Sequence, residues 1–251
     1  MKRSCISLLL ALSTLLLLSG CISSKDRTDG KVHYTLGLSY LREPNYSQAL
    51  KEFLLAAEAN PDDPNIQLSM GQTYQLMRAY DEAEKSYKRA LSLSDASFAP
   101  ICQNNLGALY LDMKRWDDAI LYFTKATKNL LFQNQDIANA GIGYAHFNKG
   151  DILTAIGFYR KSLESNPNYA TAHMRLAEAY EAFGKSDLAL KEYQEVVRMA
   201  PDNAVVQFQY GLTSAKLGKK QQAVQAFREV IRIAPDSEEA RLALDNIKLL
   251  Q

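Results

Sequence analysis

The chain carries one pattern six times over, and that repetition limits what it can fold into more than any other feature. The clearest copy runs from Ala172 to Asn203, AHMRLAEAYEAFGKSDLALKEYQEVVRMAPDN. Leu176, Ala177 and Tyr180 share one face of a first helix, and Ala189 and Tyr193 one face of a second. Gly184 marks the turn between them and Pro201 the end, so the unit reads as a helical hairpin. The small residue of the first helix recurs as Gly37, Gly71, Gly107, Gly143, Ala177 and Gly211, at steps of 34, 36, 36, 34 and 34 residues. Twelve residues after each stands an alanine (Ala49, Ala83, Ala119, Ala155, Ala189, Ala223), and four further on a ring (Phe53, Tyr87, Phe123, Tyr159, Tyr193, Phe227).

Two antiparallel helices approach closely only where neither carries a bulky side chain, so the small residue of the first helix is expected to face the alanine of the second. The ring, one turn later, fills the space that opens. A lone hairpin cannot bury such a face, whereas stacked copies share one continuous core. The pattern, with Tyr40, Tyr74, Tyr110 and Tyr180 three residues past the small position and Pro61, Pro167, Pro201 and Pro235 near the repeat ends, resembles the tetratricopeptide repeat. That resemblance implies an all-α superhelix of six hairpins over residues 32–237, with a capping helix at 238–251.

The N-terminus reads differently. Lys2 and Arg3 precede an apolar run from Ile6 to Leu18, too short to span a bilayer dependably, which ends Leu18-Ser19-Gly20-Cys21. This resembles the lipobox of bacterial lipoproteins and outweighs a generic secretory signal, because basic start, apolar length and small-small-Cys ending agree. The resemblance implies a signal peptide at 1–20 and an acylated Cys21 as mature N-terminus, and the polar residues after it, with Gly30, read as a short tether that completes 21–31. The several acyl chains of such a lipoprotein suffice for stable anchoring. Ile22 stands where many inner-membrane lipoproteins have aspartate, which by family rule implies the periplasmic face of an outer membrane. Loss of residues 1–20 leaves 27 basic against 28 acidic side chains, so nothing points to a nucleic acid or other polyanion.

Cys5 leaves with the signal and Cys21 carries lipid, so Cys102 remains alone and reads as a small core residue. Pro61-Asp62-Asp63-Pro64 supplies a helix cap in Asp63 and a first-turn proline in Pro64. The two steps of 36 mark insertions around 94–100 and 129–136. The second holds Leu130-Leu131-Phe132, an apolar triplet that either docks a partner or tucks under its own lengthened turn. After Pro235, Asp236 to Glu239 and then Leu242, Leu244, Ile247 and Leu250 read as a capped amphipathic helix over the last repeat.

The chain offers no sign of catalysis. His33, His146 and His173 fall on repeat-core positions without metal-ligand spacing, and no HExxH, CxxC, GxSxG or phosphate loop occurs. No enzyme, cofactor, metal or small-molecule substrate is expected, and recognition of a protein remains. One position past the core stripe, each first helix carries a second stripe that faces the hollow or packs between neighbouring first helices. In repeats three to six it reads Asn104, Ala108, Leu111; Ala140, Tyr144, Phe147; Met174, Glu178, Glu181; and Phe208, Leu212, Ala215, apolar to aromatic with an acidic patch in repeat five. It lacks the spaced Lys, Asn and Arg of carboxylate-clamp domains. Asn104, Asn105, Tyr144 and Phe147 combine rings with amides, as a peptide-binding surface needs, and with the 130–132 turn they are the candidate partner site.

A lipobox, a tether and six such repeats, with repeat three reading NNLGALYLDMKRWDDAILYFTKATKNLLF, resemble the type IV pilus biogenesis lipoproteins of the PilF/PilW pilotin family. The matching residues include Asn104, Asn105, Gly107, Tyr110, Lys114, Arg115, Ala119, Ala126, Leu131 and Phe132. The resemblance implies a scaffold that binds secretin subunits and helps them reach or assemble in the outer membrane. An adaptor for peptidoglycan hydrolases or a periplasmic protease is the alternative of the same class.

Overall fold

The computed structural model describes residues 24–130 and 132–251, and every regular element among them is a helix. In chain order these are α1 (Ser24–Arg42), α2 (Tyr46–Ala59), α3 (Pro64–Leu76), α4 (Tyr80–Leu93), α5 (Ala99–Asp112), α6 (Trp116–Thr127) and α7 (Gln135–Asn148). There follow α8 (Ile152–Ser165), α9 (Ala170–Ala182), α10 (Ser186–Met199), α11 (Ala204–Lys216), α12 (Lys220–Ile233) and α13 (Glu238–Leu250). Taken in pairs they form six hairpins and one closing helix, the all-α architecture expected. The chain divides into two compact units, Met1–Leu93 with hairpins one and two and Ser94–Gln251 with hairpins three to six and α13. Within each unit a second helix packs on its own first helix and on the first helix that follows.

The helix ends follow their sequence signals. Asp63 accepts a hydrogen bond from the Asn65 backbone N–H with Pro64 in the first turn of α3, and Asn203 caps α11 through the Val206 N–H. Seven residues past each small residue the chain turns through a left-handed residue. Hairpins four to six use Gly150, Gly184 and Gly218 there (φ 84°, 74° and 71°), whereas hairpins two and three place Arg78 and Lys114 at φ 60° and 56°.

Two expectations require correction, and a third is extended. The stretch expected to be a tether is already helical from Ser24, so α1 runs to 19 residues. Gly30 is buried within it because α1 passes the end of α2 there: a Cβ on Gly30 would lie 2.4 Å from the Asn60 side chain and 2.8 Å from Ala59 Cβ. Composition read this glycine as part of a tether, but it is a close-approach residue.

The small residues of the first helices lie against the rings as well: Gly143 meets Ala155 and Ala177 clusters with Ala189, but the nearest atoms to each glycine belong to its ring. A Cβ on Gly37, Gly71, Gly107, Gly143 or Gly211 would come within 2.5 to 2.8 Å of Phe53, Tyr87, Phe123, Tyr159 or Phe227, respectively. Each ring lies flat in the space its glycine leaves open. Phe123 is held from both sides, since a Cβ on Gly141 of the next hairpin would stand 2.5 Å from it.

The buried face of α13 is Ala240, Ala243, Ile247 and Leu250, which join Ala223, Phe227 and Val230 of hairpin six, while Leu242 and Leu244 face outward. Closest packing between helices selects alanine, so the more hydrophobic leucines did not mark the contact face. Ser237 caps this helix through the Ala240 N–H.

Candidate functional site

The second stripe of the first helices divides on folding. Tyr34, Leu38 and Leu41 pack onto the core of hairpin one, Phe147 onto that of hairpins four and five, and Phe208, Leu212 and Ala215 onto that of hairpin six. Tyr144, on α7, instead stands half-buried between two side chains from other helices. The Trp116 ring at the start of α6 meets it edge-on with centroids 6.2 Å apart, and the Arg175 guanidinium of α9 lies over it at 4.8 Å. Such a stack leaves an aromatic surface flanked by a cation, the combination that recurs where proteins hold a partner.

The other candidates fall in different settings. Asn105 Nδ2 donates to the Ile101 carbonyl at 2.8 Å on its own helix. The Asn104 side-chain oxygen is buried without a hydrogen-bond partner. The 130–132 turn is split: Leu130 is 93% exposed, whereas Phe132 is 7% exposed and tucked in. Asn129 Nδ2 donates to the Ala96 carbonyl at 3.0 Å, so the two insertions brace one another. Cys21 and Leu131 lie outside the described residues.

The acidic patch expected in repeat five is neutralised. Glu178 accepts from Arg175 Nη1 at 2.8 Å, and Glu181 Oε2 accepts from Lys216 Nζ at 2.6 Å and from the Ser186 hydroxyl at 3.0 Å. Burial raises the Glu181 pKa, but the bonds to Lys216, Ser186 and Thr213 outweigh it and hold the carboxyl below the ordinary glutamate value. Sequence spacing had no means of pairing Glu181 with Lys216, 35 residues on in the next hairpin.

Trp116, Arg175 and Tyr159 were also missed, although Tyr159 had left a signal. Four residues past the small residue, hairpins with a Phe ring carry an apolar side chain (Leu41, Leu111, Ala215), and two of the three with a Tyr ring carry a polar one (Gln75, Glu181). In hairpin two the reason is direct, since the Tyr87 hydroxyl donates to Gln75 Oε1 at 2.8 Å. Hairpin four sets Tyr159 against Phe147, which has nothing to offer, and the Tyr159 hydroxyl is buried with no partner in the protein. Burial pushes this phenol's pKa well up, with Arg175, Glu178 and Tyr144 as the nearby groups that act on it.

The histidines and the cysteine serve structure. His33 and His173 each place Nδ1 against a second-helix carboxylate, Glu52 at 2.7 Å and Glu192 at 2.6 Å, and His146 stacks on Phe158 beside Asp151. No group of side chains that could hold a metal ion occurs among the described residues. Cys102 is fully buried, its Sγ 3.3 Å from the Ser94 hydroxyl, and burial raises its pKa, which disfavours the reactive thiolate.

Stacked helical hairpins with an aromatic face define a scaffold for protein–protein contact. Tetratricopeptide-repeat profiles match residues 62–131 and, in a second form, residues 104–173, 140–204 and 174–238, and the chain belongs to that family. Among curated proteins it is similar to the type IV pilus assembly protein PilF of Pseudomonas aeruginosa, 25% identical over 171 residues covering 64% of this chain and 67% of PilF. It is 24% identical over 210 residues to the human protein O-mannosyl-transferase TMTC3, a match that spans 73% of this chain but 22% of that protein. Among solved structures, Pseudomonas aeruginosa PilF superposes with a TM-score of 0.76 at 19% identity, over 89% of this chain and 100% of that one. PilW, described as a widely conserved type IV pilus biogenesis factor, superposes with a TM-score of 0.77 at 23% identity, over 86% and 98%. These superpositions establish a shared fold.

Proposed function

We propose that this protein is a lipid-anchored scaffold on the periplasmic face of the outer membrane that acts as a pilotin, binding secretin subunits of a type IV pilus system and aiding their localisation or assembly. The observation that carries the reading is the joining of a lipobox ending at Cys21 to a repeat array that matches PilF and PilW along nearly their whole solved chains. No catalytic step is assigned: the protein works by presenting a rigid face, and the lipid delivers the bound subunit to the membrane. The half-buried stack of Trp116, Tyr144 and Arg175 is the surface that meets the partner.

The test is made in cells of the source organism with the gene deleted, and with Cys21→Ser in its place. Assembled secretin multimers in the outer membrane are expected to be lost on deletion. The Cys21→Ser protein, unacylated, is expected in the soluble fraction or as uncleaved precursor, with multimers reduced or mislocalised. Normal multimers in the deletion strain would remove the pilotin reading, and unchanged membrane fractionation of Cys21→Ser would remove the anchor.

A further inference from the structure

The first helix leaves one side uncovered, a short way along the chain from the cysteine taken as the anchor. On α1, His33, Tyr34, Leu38 and Leu41 turn toward the rest of hairpin one, His33 by its contact with Glu52 and the others by packing on the core around Phe53. From Lys31 to Arg42 the exposed side chains are Lys31, Val32, Thr35, Leu36, Ser39 and Arg42. Val32 and Leu36, 53% and 43% exposed, stand one turn apart on the same face. Thr35 donates its hydroxyl to the Lys31 carbonyl at 2.9 Å, which leaves its methyl group to the surface. The face is therefore apolar at its centre and cationic at either end, and its nearest acids, Asp29 and Glu43, lie beyond those ends.

Exposed aliphatic side chains are ordinary on a protein surface, so their position decides what they mean. Only Ile22 and Ser23 separate Cys21 from the start of α1 at Ser24, and those three chain steps reach about 11 Å at most. Val32 and Leu36 follow about 12 Å and 18 Å further along the helix. An acylated Cys21 keeps such a face beside the bilayer at high effective concentration, where a contact too weak to bind alone is still made. We propose that the exposed face of α1 docks on the lipid surface. The helix lies along the membrane, with Val32 and Leu36 at the boundary of headgroups and acyl chains and Lys31 and Arg42 reaching lipid phosphates. Hairpin one then rests on the bilayer instead of swinging from a tether. This rests on Cys21 as the anchor but fails separately from it, since an acylated protein held to the membrane with α1 facing water would keep the anchor and lose the docking.

The acylated protein is reconstituted in vesicles of phosphatidylethanolamine and phosphatidylglycerol that contain a lipid with a nitroxide on its headgroup. Cys102 is fully buried, so with Cys21 acylated a fluorophore is placed singly through Val32→Cys, Leu36→Cys or Lys51→Cys. Lys51 is exposed on α2 of the same hairpin, on the side turned away from the buried Ala49 and Phe53. All three variants are expected to keep the helicity of the parent and to float with the vesicles. Nitroxide quenching at positions 32 and 36 should exceed that at position 51 at least about twofold. Flotation with equal quenching at the three positions, or with none at 32 and 36, overturns the docking and leaves the anchor. A parent chain that does not float removes the anchor and the docking together. Shielding of the label at position 32 in Cys21→Ser protein without vesicles, growing with protein concentration, would give the face to a second copy of the chain and overturn the proposal as well.

Discussion

Two glycine-to-alanine substitutions, both inside helices of the second unit, should move stability in opposite directions. At Gly157 in α8 a Cβ would meet nothing within 4 Å, so Gly157→Ala gains only the helix propensity of alanine, about 0.8–1 kcal/mol. At Gly141 in α7 the new Cβ would stand 2.5 Å from Phe123 Cε2 and 2.6 Å from Cζ, against a comfortable separation of about 3.5–4.0 Å. The ring would have to withdraw by about 1 Å toward Gly107, whose own Cα side it already crowds, as a Cβ there would lie 2.8 Å away. Overpacking of this kind costs about 1–3 kcal/mol, and the severity of the contact places it near the upper end. After the propensity gain, Gly141→Ala should be about 2 kcal/mol less stable, a fall in melting temperature of about 4–8 °C. Gly157→Ala should rise by about 2–4 °C. Circular dichroism melts and urea titrations of both variants decide the matter, with Phe123→Leu added to Gly141→Ala as the relieving change. Shifts of the same sign in the two single variants would refute the ring-against-glycine account of the hairpins.

Replacing Arg78 or Lys114 by glycine should stabilise by about 0.5–1 kcal/mol, because each holds a left-handed backbone that glycine adopts freely; a loss in both would mean that their side chains matter more than their backbone. For Glu181 the folded pKa is depressed, so its contribution is present above the unfolded glutamate pKa and is lost as pH falls through the folded one. Glu181→Gln should therefore lower stability at neutral pH and narrow the gap to the parent as the solution is acidified, as read by urea midpoints from pH 7 to pH 3.

Much of the fold was legible because repetition multiplies weak signals. One Gly-x11-Ala-x3-ring register would be noise, but six copies place every hairpin, and Asp63-Pro64 and Ser237 start their helices for reasons that are local in the chain. What escaped lies in contacts that sequence spacing does not encode. Gly30 read as part of a tether because the residue it presses against, Asn60, is thirty positions away at the end of another helix. The closing helix turns alanines and not leucines inward because the helix it covers approaches closely. Glu178 and Glu181 read as an acidic patch until Arg175 and Lys216 were seen to neutralise them. Of the candidate site, Tyr144 was visible as a ring in the stripe, and Phe147 equally so, but only packing separates the half-buried stack from the residue laid on the core. The Tyr159–Phe147 mismatch was written in the sequence and could be read only by comparing the six copies with one another.

The central claim is that the Tyr144 face binds the secretin. It is tested most directly by calorimetric titration of the purified protein with purified secretin subunits from the same pilus system, for the parent chain and for Tyr144→Ala. Tyr144 is half-buried between Trp116 and Arg175, so helicity and melting of the variant are measured beside binding. The account predicts saturable binding by the parent and a loss of about 2 kcal/mol or more, roughly thirtyfold, in the folded Tyr144→Ala variant. Absence of binding by the parent, or equal affinity in the two proteins, would contradict it.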